Sequence, residues 1–392
     1  MKIYPARIHR DTALAWLCVF LLLCLAACQN GARESTTERV EQIKATQQPT
    51  QVDMKIPQQK SSITPTPTAT TAAATPTPTS QPQSQVASSN ANSSGRPVLA
   101  FYYPWYTQST WCSCKMSDLP PVQYNSDDDA TIERQITSAA NVGITGFISS
   151  WWGPGHETDT NFVKLLAHAS ALESRSGYHF ASSIYFESDS PGLNGSANII
   201  NGLRYLINHY GSDPHFFHWQ GKPVFFFWDP LGAGRTLNEW ADIRSQVDPN
   251  NQTIWSAEGV DTTMLSVFDG IHLFSAGYWG IQHNTMDAVD QGFRAKVDAY
   301  NSAHQSSKIW AAGVSPGYDD TRVPGRSGTF IVPRNNGTTY TTSWNAAITS
   351  NPSWVTVTSY NEWFEGSMIE PGVTYGNLYL TLTQQFTQKW HG

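Results

Sequence analysis

The residues with the clearest chemical potential are two glutamates, Glu362 and Glu365, which lie three positions apart near the end of the chain. If this short stretch turns helically, their Cβ atoms lie about 5–6 Å apart on one face. Carboxyls this close suit hydrolysis of a glycosidic bond with retention of configuration, because an inverting pair must leave room for water between them. Spacing alone would also fit a solvated helix face. The aromatic residues Tyr360, Trp363 and Phe364 surround the pair after a hydrophobic strand, which argues against that alternative.

Other candidate residues follow the remaining strand-like segments, because active sites gather at the strand ends in barrels of alternating strands and helices. They are mostly aromatic or acidic, and carboxyl groups beside flat apolar rings suit the binding and cleavage of sugars. The predicted substrate-binding residues are Tyr103, Trp105, Trp151, Trp152, Glu187, Tyr278, Tyr318, Asp319, Asn361 and Trp363. These positions contain no Ser-His-Asp pattern and no glycine loop that could cradle a phosphate.

Some of these residues have structural alternatives. Trp151 and Trp152 are adjacent, so in a continuing strand only one of them faces a substrate while the other packs. Glu187 either hydrogen-bonds a substrate or forms a salt bridge with an arginine such as Arg204. Asp319 either contacts a substrate or caps its loop as an Asx turn.

Charged residues near the candidate site are interpreted as supports. We expect Arg322, Arg326 and Arg334 to brace the loop that follows Asp319 through pairs with carboxylates. Glu370 is interpreted as a structural brace or a distal contact rather than a third catalytic acid.

The scaffold that positions these residues is predicted from alternating strand and helix patterns over residues 96–392. Eight strand-like runs with intervening helices indicate an α/β fold of the (β/α)8 barrel type, and a doubly wound open sheet is the alternative. The helix between the fifth and sixth strands has the weakest pattern. The predicted strands are residues 97–102, 146–150, 179–186, 223–228, 253–257, 270–274, 308–314 and 354–358.

The N-terminal quarter of the chain is predicted to be a targeting segment and a spacer. Residues 1–27 have a positive start and a short apolar run. Their last three residues and the next one, Leu25-Ala26-Ala27-Cys28, resemble a bacterial lipobox. We therefore expect a lipoprotein signal peptide and lipidation at Cys28, with an ordinary signal peptide as the alternative. Residues 28–95 are rich in Thr, Pro and Ser and predict a disordered stalk. The domain at 96–392 would then stand at the bacterial cell surface, outside the cytoplasm and anchored to the membrane by lipid.

Composition excludes some partners and metal sites. The net charge of −7 argues against a broad basic surface for nucleic acid. Cys112 and Cys114 form a poor zinc site by themselves and are expected to be either a local disulfide or two free thiols. The histidine pairs lack a convincing third ligand, so neither a catalytic metal nor a cofactor is predicted. Those pairs are His156 with His168 and His215 with His218.

The segment Asn361-Glu362-Trp363-Phe364-Glu365-Gly366, continued by Ile369-Glu370-Pro371, resembles the catalytic signature of glycoside hydrolase family 99, the endo-α-mannosidases and endo-α-mannanases. Residues 101–106, 148–153 and 315–320 resemble other segments of that family in the same order. The resemblance implies a (β/α)8 barrel and an α-mannan-like polysaccharide or oligosaccharide as substrate.

The resemblance also implies a role for each glutamate. Glu362 would act as the base on the 2-hydroxyl of the substrate, which attacks the anomeric carbon to give a 1,2-anhydro sugar. Glu365 would protonate the leaving oxygen and then activate water. Phe364 stands where a polar or histidine residue is expected in many relatives, and the neighbours of Glu187 also differ. A glycosidase for another sugar, or a carbohydrate-binding surface lipoprotein without catalysis, therefore remain the alternatives.

Overall fold

The computed structural model describes residues 95–281 and 286–392. The predicted signal peptide at 1–27, the lipidation site Cys28 and the stalk up to residue 94 lie outside these described residues.

Eight parallel strands close into a barrel, which confirms the predicted architecture and excludes the open doubly wound sheet. The barrel strands are β1 (Val98–Tyr102), β2 (Gly146–Trp151), β3 (Ser183–Glu187), β5 (Lys222–Trp228), β6 (Ile254–Glu258), β7 (Gly270–His272), β8 (Ile309–Val314) and β11 (Trp354–Val357). The ring closes where β11 pairs with β1, and β3 pairs directly with β5. The intervening short strand β4 (His218–Trp219) runs antiparallel to β5. A second small sheet, the hairpin of β9 (Tyr318–Asp319) and β10 (Ile331–Val332), lies in the loop after β8.

Helices separate most of the barrel strands. They are α1 (Asp129–Asn141), α2 (Glu157–Ser176), α3 (Ser196–His209), α4 (Leu237–Val247), α5 (Met286–His304), α6 (Thr338–Ser350) and α7 (Leu378–His391). Between β6 and β7, where the sequence pattern was weakest, the described connection is only a short 3-10 helix, Thr262–Ser266. In the part of the chain that the structure describes, no helix combines the length and apolar character needed to cross a bilayer.

Local sequence explains two of the helix ends. The Asp128 carboxylate accepts a hydrogen bond from the backbone N–H of Thr131, which caps the start of α1. Helix α2 ends at Gly177, which has a φ of +71°. Glycine adopts this left-handed conformation without the steric cost that a side chain would add.

Alternation along the strands divides the core into two layers. One layer fills the barrel interior, where Phe101 packs against Tyr185 with ring centroids 4.7 Å apart. The other layer lies between the strands and the surrounding helices, where Tyr102 stacks on Phe147 at 4.6 Å. Large side chains of this kind each contribute roughly 1.5–3 kcal/mol when they are fully buried.

A buried carboxylate, Glu370, fastens the segment after β11 to the rest of the domain. It accepts hydrogen bonds from Tyr124 Oη at 2.8 Å, Gln135 Nε2 at 2.8 Å and Trp363 Nε1 at 3.1 Å. Arg134 Nη1 lies 3.3 Å away and supplies the compensating positive charge. Glu370 thus serves as a structural brace, the role that the sequence favoured.

We predict that Glu370→Ala lowers the free energy of unfolding by about 3 kcal/mol or more, because several buried donors lose their acceptor at once. Chemical denaturation of the purified domain measures this. The control is Glu133→Ala, since Glu133 forms an exposed ion pair with Arg175 at 2.9 Å and such pairs contribute at most about 1 kcal/mol. Equal losses in the two variants would contradict the role of Glu370.

Candidate active site

The candidate site is assembled where the segment after β1 meets the segment after β11. Asn361 is fully buried and bonds the backbone of Tyr103 twice: its Oδ1 accepts from the N–H at 2.7 Å, and its Nδ2 donates to the carbonyl at 3.1 Å. Asn361 was predicted to bind substrate, but both polar ends of its side chain serve this backbone contact. Its role is to position Tyr103 beside the paired glutamates.

Glu362 is almost completely buried, with 3% of its surface exposed. Its Oε1 accepts a hydrogen bond from the backbone N–H of Phe364 at 3.1 Å and another from Tyr106 Oη at 3.3 Å. Burial, followed by the negative charge of Glu365, raises the pKa of Glu362 well above its usual value. The positive charge of Arg326 opposes this rise. Glu362 therefore holds its proton more strongly than an exposed glutamate would.

Glu365 has a different environment. Its side chain is 19% exposed, and its Oε1 accepts a hydrogen bond from Arg326 Nη1 at 2.7 Å. The same guanidinium nitrogen lies 3.2 Å from Asp320 Oδ2 and 3.1 Å from Tyr318 Oη. The two glutamates are thus unequal, with one buried against aromatic rings and the other held at the surface by a cation.

Gly366 allows the turn that directly follows the paired glutamates. Its φ is +57°, and an added Cβ would lie 3.0 Å from the carbonyl oxygen of Asp319. The Gly366 carbonyl accepts a hydrogen bond from Arg334 Nη2 at 3.0 Å. Arg334 therefore supports this turn through backbone carbonyls, while Arg322 donates to the carbonyls of residues 113 and 116. Of the three expected braces, Arg326 pairs with carboxylates as predicted.

Glu187, at the end of β3, belongs to the same site. Ser150 Oγ donates to its Oε1 at 2.8 Å, whereas Arg204, the alternative partner, donates to the carbonyl of Gln246. Burial of the carboxyl raises the pKa of Glu187 to about 8, against the effect of the Ser150 hydrogen bond and with a further rise from the charge of Glu365. At neutral pH this carboxyl is therefore largely protonated and can donate as well as accept a hydrogen bond.

Tyr103 shows that the three carboxyls converge. Burial raises the pKa of the Tyr103 phenol well above its usual value, and the charges of Glu362, Glu187 and Glu365 each add to the rise. The Tyr103 ring lies 4.8 Å from that of Trp105, whose ring in turn lies 5.6 Å from that of Trp152. These rings form an aromatic wall beside the carboxyls, and such surfaces suit the apolar faces of sugar rings.

The loop after β8 supplies a second aromatic surface. Tyr318 stacks on Phe330 with centroids 4.5 Å apart and planes 9° from parallel. Tyr278, which is 39% exposed, lies edge-on to the same Phe330 ring at 5.5 Å. Because Tyr318 also contacts Arg326, this surface adjoins Glu365. The Asp319 carboxylate, in contrast, accepts from Thr321 N and Oγ1 at 3.1 and 2.6 Å and so forms the Asx turn that was the alternative prediction.

Two tryptophans predicted to bind substrate face away from it. Trp151 is fully buried in the layer between strands and helices, where its Nε1 donates to Asp159 Oδ1 at 2.8 Å. The alternation of strand side chains explains this, since Trp152 takes the other direction and joins the aromatic wall. Trp363 is also fully buried, and its Nε1 donates to Tyr124 Oη and to Glu370. Both predictions of substrate contact are corrected to packing roles.

Three residues that the structure places near the site had no assigned role in the sequence analysis. Tyr106 contacts Glu362 although the run of aromatic residues after β1 gave no reason to select it over its neighbours. Asp229 directly follows β5 and Glu258 is the last residue of β6, and the sequence already offered both as acids at strand ends. Burial raises the pKa of Asp229 to about 6 and that of Glu258 to about 8. Their positions at strand ends were the available signal.

Potential metal ligands lie elsewhere. Within residues 95–281 and 286–392, one group of at least three His, Cys, Asp or Glu side chains has suitable geometry, namely Glu173, His179 and His215. These residues precede β3 and β4, whereas the paired glutamates follow β11. The cysteines Cys112 and Cys114 are joined in a disulfide, which settles the two alternatives left by the sequence.

Comparison with known proteins identifies relatives of this barrel. Mouse glycoprotein endo-alpha-1,2-mannosidase is 24% identical over 327 residues, covering 75% of this chain and 67% of the mouse protein. The mouse endo-alpha-1,2-mannosidase-like protein is 24% identical over 294 residues, covering 68% of this chain and 62% of its own length. This chain therefore spans about two thirds of these relatives.

A solved structure has the same fold. The family 99 endo-alpha-mannosidase from Bacteroides thetaiotaomicron superposes with a TM-score of 0.63 at 23% identity, and the match covers 75% of this chain and 97% of that protein. The sequence model described as Glycosyl hydrolase family 99 matches residues 112–380. That match covers more than half of the chain, includes both Glu362 and Glu365, and shows that this protein belongs to glycosyl hydrolase family 99.

Proposed function

We propose that this protein hydrolyses α-mannosidic bonds inside oligosaccharide or polysaccharide chains, with retention of configuration at the anomeric carbon. The observation that carries the proposal is the unequal pair of carboxyls at the end of β11: Glu362 is buried, and Glu365 is partly exposed and bonded to a cation. Retaining hydrolysis needs two carboxyls in different roles at short range. The names of the mouse and Bacteroides relatives favour α-mannosides as the substrate class.

The proposed first step uses the substrate's own 2-hydroxyl as nucleophile. Glu362 accepts the proton of that hydroxyl, its oxygen bonds to the anomeric carbon, and the bond from that carbon to the leaving oxygen breaks. Glu365 donates a proton to the leaving oxygen, which gives a neutral alcohol and a 1,2-anhydro sugar. An α-mannoside suits this step because its axial 2-hydroxyl lies trans to the leaving group.

The second step restores both carboxyls. Glu365, now a carboxylate, accepts a proton from water as the water oxygen attacks the anomeric carbon. The bond between that carbon and the 2-oxygen breaks, and the 2-oxygen takes back the proton from Glu362. Two displacements at the same carbon leave the product with its original configuration.

The difference in exposure supports these assignments. Glu365 is the more exposed group, so it can exchange protons with the leaving oxygen and with water. Glu362 is the more buried group and contacts Tyr106, and its raised pKa makes it a stronger base once it is ionised. The aromatic wall of Tyr103, Trp105 and Trp152 would hold the sugar rings, and Glu187 would hydrogen-bond their hydroxyls.

We also propose that the domain is exported by a bacterium and anchored at its surface. The support is the sequence that ends in Cys28 and the Thr/Pro-rich residues that follow it. At roughly 3 Å per residue when extended, a stalk of this length would hold the domain up to about 200 Å from the lipid. Such a position suits action on large glycans outside the cell.

The catalytic assignment predicts different losses in two variants. Glu365→Gln should reduce hydrolysis of natural α-mannosides by about 10²- to 10⁴-fold, but reduce hydrolysis of aryl or fluoride mannosides less, because those groups leave with little protonation. Glu362→Gln should slow both substrate classes to a similar extent, because the 2-hydroxyl still needs a base. Initial rates with defined substrates measure this, and Glu133→Gln on the outer helix α1 is the matched control.

The same assay decides between the proposal and its alternatives. An NMR time course in which the first product has inverted configuration would overturn the mechanism. Activity on a 2-deoxy substrate would also overturn it, since the attacking hydroxyl would be absent. A protein that binds α-mannans tightly but shows no hydrolysis with any tested linkage would instead be a carbohydrate-binding protein.

Arg326 should control the pH dependence. Catalysis needs the Glu362 carboxylate, so its raised pKa predicts that kcat/KM falls as the pH drops below that pKa. Because the charge of Arg326 lowers this pKa, Arg326→Gln should move the acid limb of the kcat/KM profile toward higher pH. The loss should therefore be greater at pH 5 than at pH 8, and Arg326→Lys should restore part of the profile.

The matched control for this prediction is Arg322→Gln. Arg322 lies in the same loop but donates only to backbone carbonyls, so its variant should keep the wild-type acid limb. An acid limb at the same pH in Arg326→Gln and wild type would contradict the proposed electrostatic role.

The anchoring proposal predicts that Cys28→Ala releases the protein from the membrane fraction or leaves it unprocessed. A lipobox cysteine carries two or three acyl chains, which hold a protein stably where a single chain would not. Fractionation of expressing bacteria with mass measurement of the product tests this. If the variant stayed in the membrane fraction at the mature, acylated mass, the proposal of lipidation at Cys28 would be wrong.

A further inference from the structure

The end of the barrel opposite the candidate active site contains a cluster of three potential metal ligands. Glu173 lies in the last turns of α2, His179 lies in the connection from α2 to β3, and His215 lies between α3 and β4. All three therefore precede strands, whereas the catalytic carboxyls follow a strand. The cluster is separate from the glycosidase chemistry.

The cluster has the geometry of a metal site. His179 Nδ1 lies 3.2 Å from Glu173 Oε1, and His215 Nε2 lies 2.8 Å from Glu173 Oε2. One ligand atom from each residue can be chosen so that all three lie within 4.8 Å of one another. Zinc bonds of about 2.0–2.2 Å at tetrahedral angles hold ligand atoms roughly 3.3–3.5 Å apart. Closing a separation of up to 4.8 Å to this range takes a movement of about 1.4 Å, which the three side chains can share to surround one ion.

The surroundings orient one ligand and leave room for another. Asp213 Oδ1 accepts a hydrogen bond from the backbone N–H of His215 at 2.8 Å and lies 3.7 Å from its Nδ1. A carboxylate beside the second ring nitrogen of a histidine favours the tautomer whose other nitrogen is free to bind a metal. The His215 side chain is only 7% exposed, while Glu173 and His179 are about 40% exposed. Solvent can therefore supply a fourth ligand and an entry path.

We propose that Glu173, His179 and His215 bind a divalent transition metal ion, and that Zn²⁺ fits the site best. Two imidazoles and one carboxylate are the ligands that zinc commonly takes, with water in the fourth position. The ion would join the end of α2 to two connections that precede neighbouring parts of the barrel. Because it would bind the folded chain and not the unfolded one, it would stabilise the domain.

The test uses the full chain after treatment with a chelator, titrated with Zn²⁺ against a chromophoric competitor. We expect one Zn²⁺ per chain, and we expect His179→Gln and Glu173→Gln each to weaken binding at least about tenfold. These two residues are partly exposed, so their variants should fold even if changes at the buried His215 do not. Zn²⁺ should raise the thermal midpoint of the wild type by several degrees and leave that of His179→Gln unchanged.

The matched control is His168→Gln. His168 Nε2 lies 3.3 Å from Asp129 Oδ1, so it also pairs with a carboxylate but has no second histidine beside it. This variant should bind Zn²⁺ as the wild type does. The proposal is overturned if the wild type shows no saturable site, or if His179→Gln and Glu173→Gln bind as tightly as the control. Hydrolysis of mannosides by His179→Gln should match the wild type, so failure of the metal proposal would leave the catalytic one untouched.

Discussion

The pairing of the first barrel strand with the last is the contact on which the candidate site depends. β1 and β11 pair in parallel from Val98 with Val355 to Ala100 with Val357. Closure of the ring in this way brings the segment after Tyr102 beside the segment after Val357. The Asn361 bonds to Tyr103 then join residues that are 258 positions apart in the sequence. The buried Glu370 makes a second long-range contact between these parts of the chain, because it accepts a hydrogen bond from Tyr124. The paired glutamates are therefore supported by residues from both ends of the domain's sequence.

Closure of the barrel also gives Glu362 and Glu365 different electrostatic environments. Glu362 is buried and contacts Tyr106 in the segment after β1, and this burial raises its pKa. Glu365 instead meets Arg326, which belongs to the loop after β8. Two chemically identical side chains thus receive different environments because they contact different parts of the chain.

The sequence predicted the parts of this arrangement that depend on local pattern. The strand and helix periodicity predicted the barrel, and it indicated that the connection between β6 and β7 was the weakest helix. The spacing and setting of Glu362 and Glu365 identified the pair. The sequence could not show in which direction each side chain points or which residues lie close together in space. Trp151 and Trp363 are as aromatic as Trp152, yet only the fold shows that the first two point into packed layers.

Long-range partners were equally inaccessible. His215 was paired with His218 on sequence proximity, whereas its actual neighbours are Glu173 and His179, which the fold brings in from another connection. Arg326 was expected to pair with a carboxylate, but nothing in its sequence neighbourhood selected Glu365, which is 39 residues away. Side chains that act across the barrel depend on the order of strands in space, and that order is fixed by tertiary packing.

Two further glutamates at the strand ends limit the negative charge of the site. Glu187 and Glu258 have pKa values raised to about 8, and burial is the main cause in both. If these groups were ionised beside Glu362 and Glu365, the site would concentrate like charges, which would hinder ionisation of Glu362, the proposed base. Held as neutral carboxyls near pH 7, they add little repulsion and can donate hydrogen bonds to sugar oxygens. The raised pKa values also affect stability. Between about pH 4.5 and 8 the folded state binds more protons at these groups than the unfolded state does. The free energy of unfolding therefore falls as the pH rises through that range. With Glu187 and Glu258 neutral, the strand ends of the barrel form a polar surface with little negative charge. Such a surface can form hydrogen bonds with the hydroxyls of a neutral glycan.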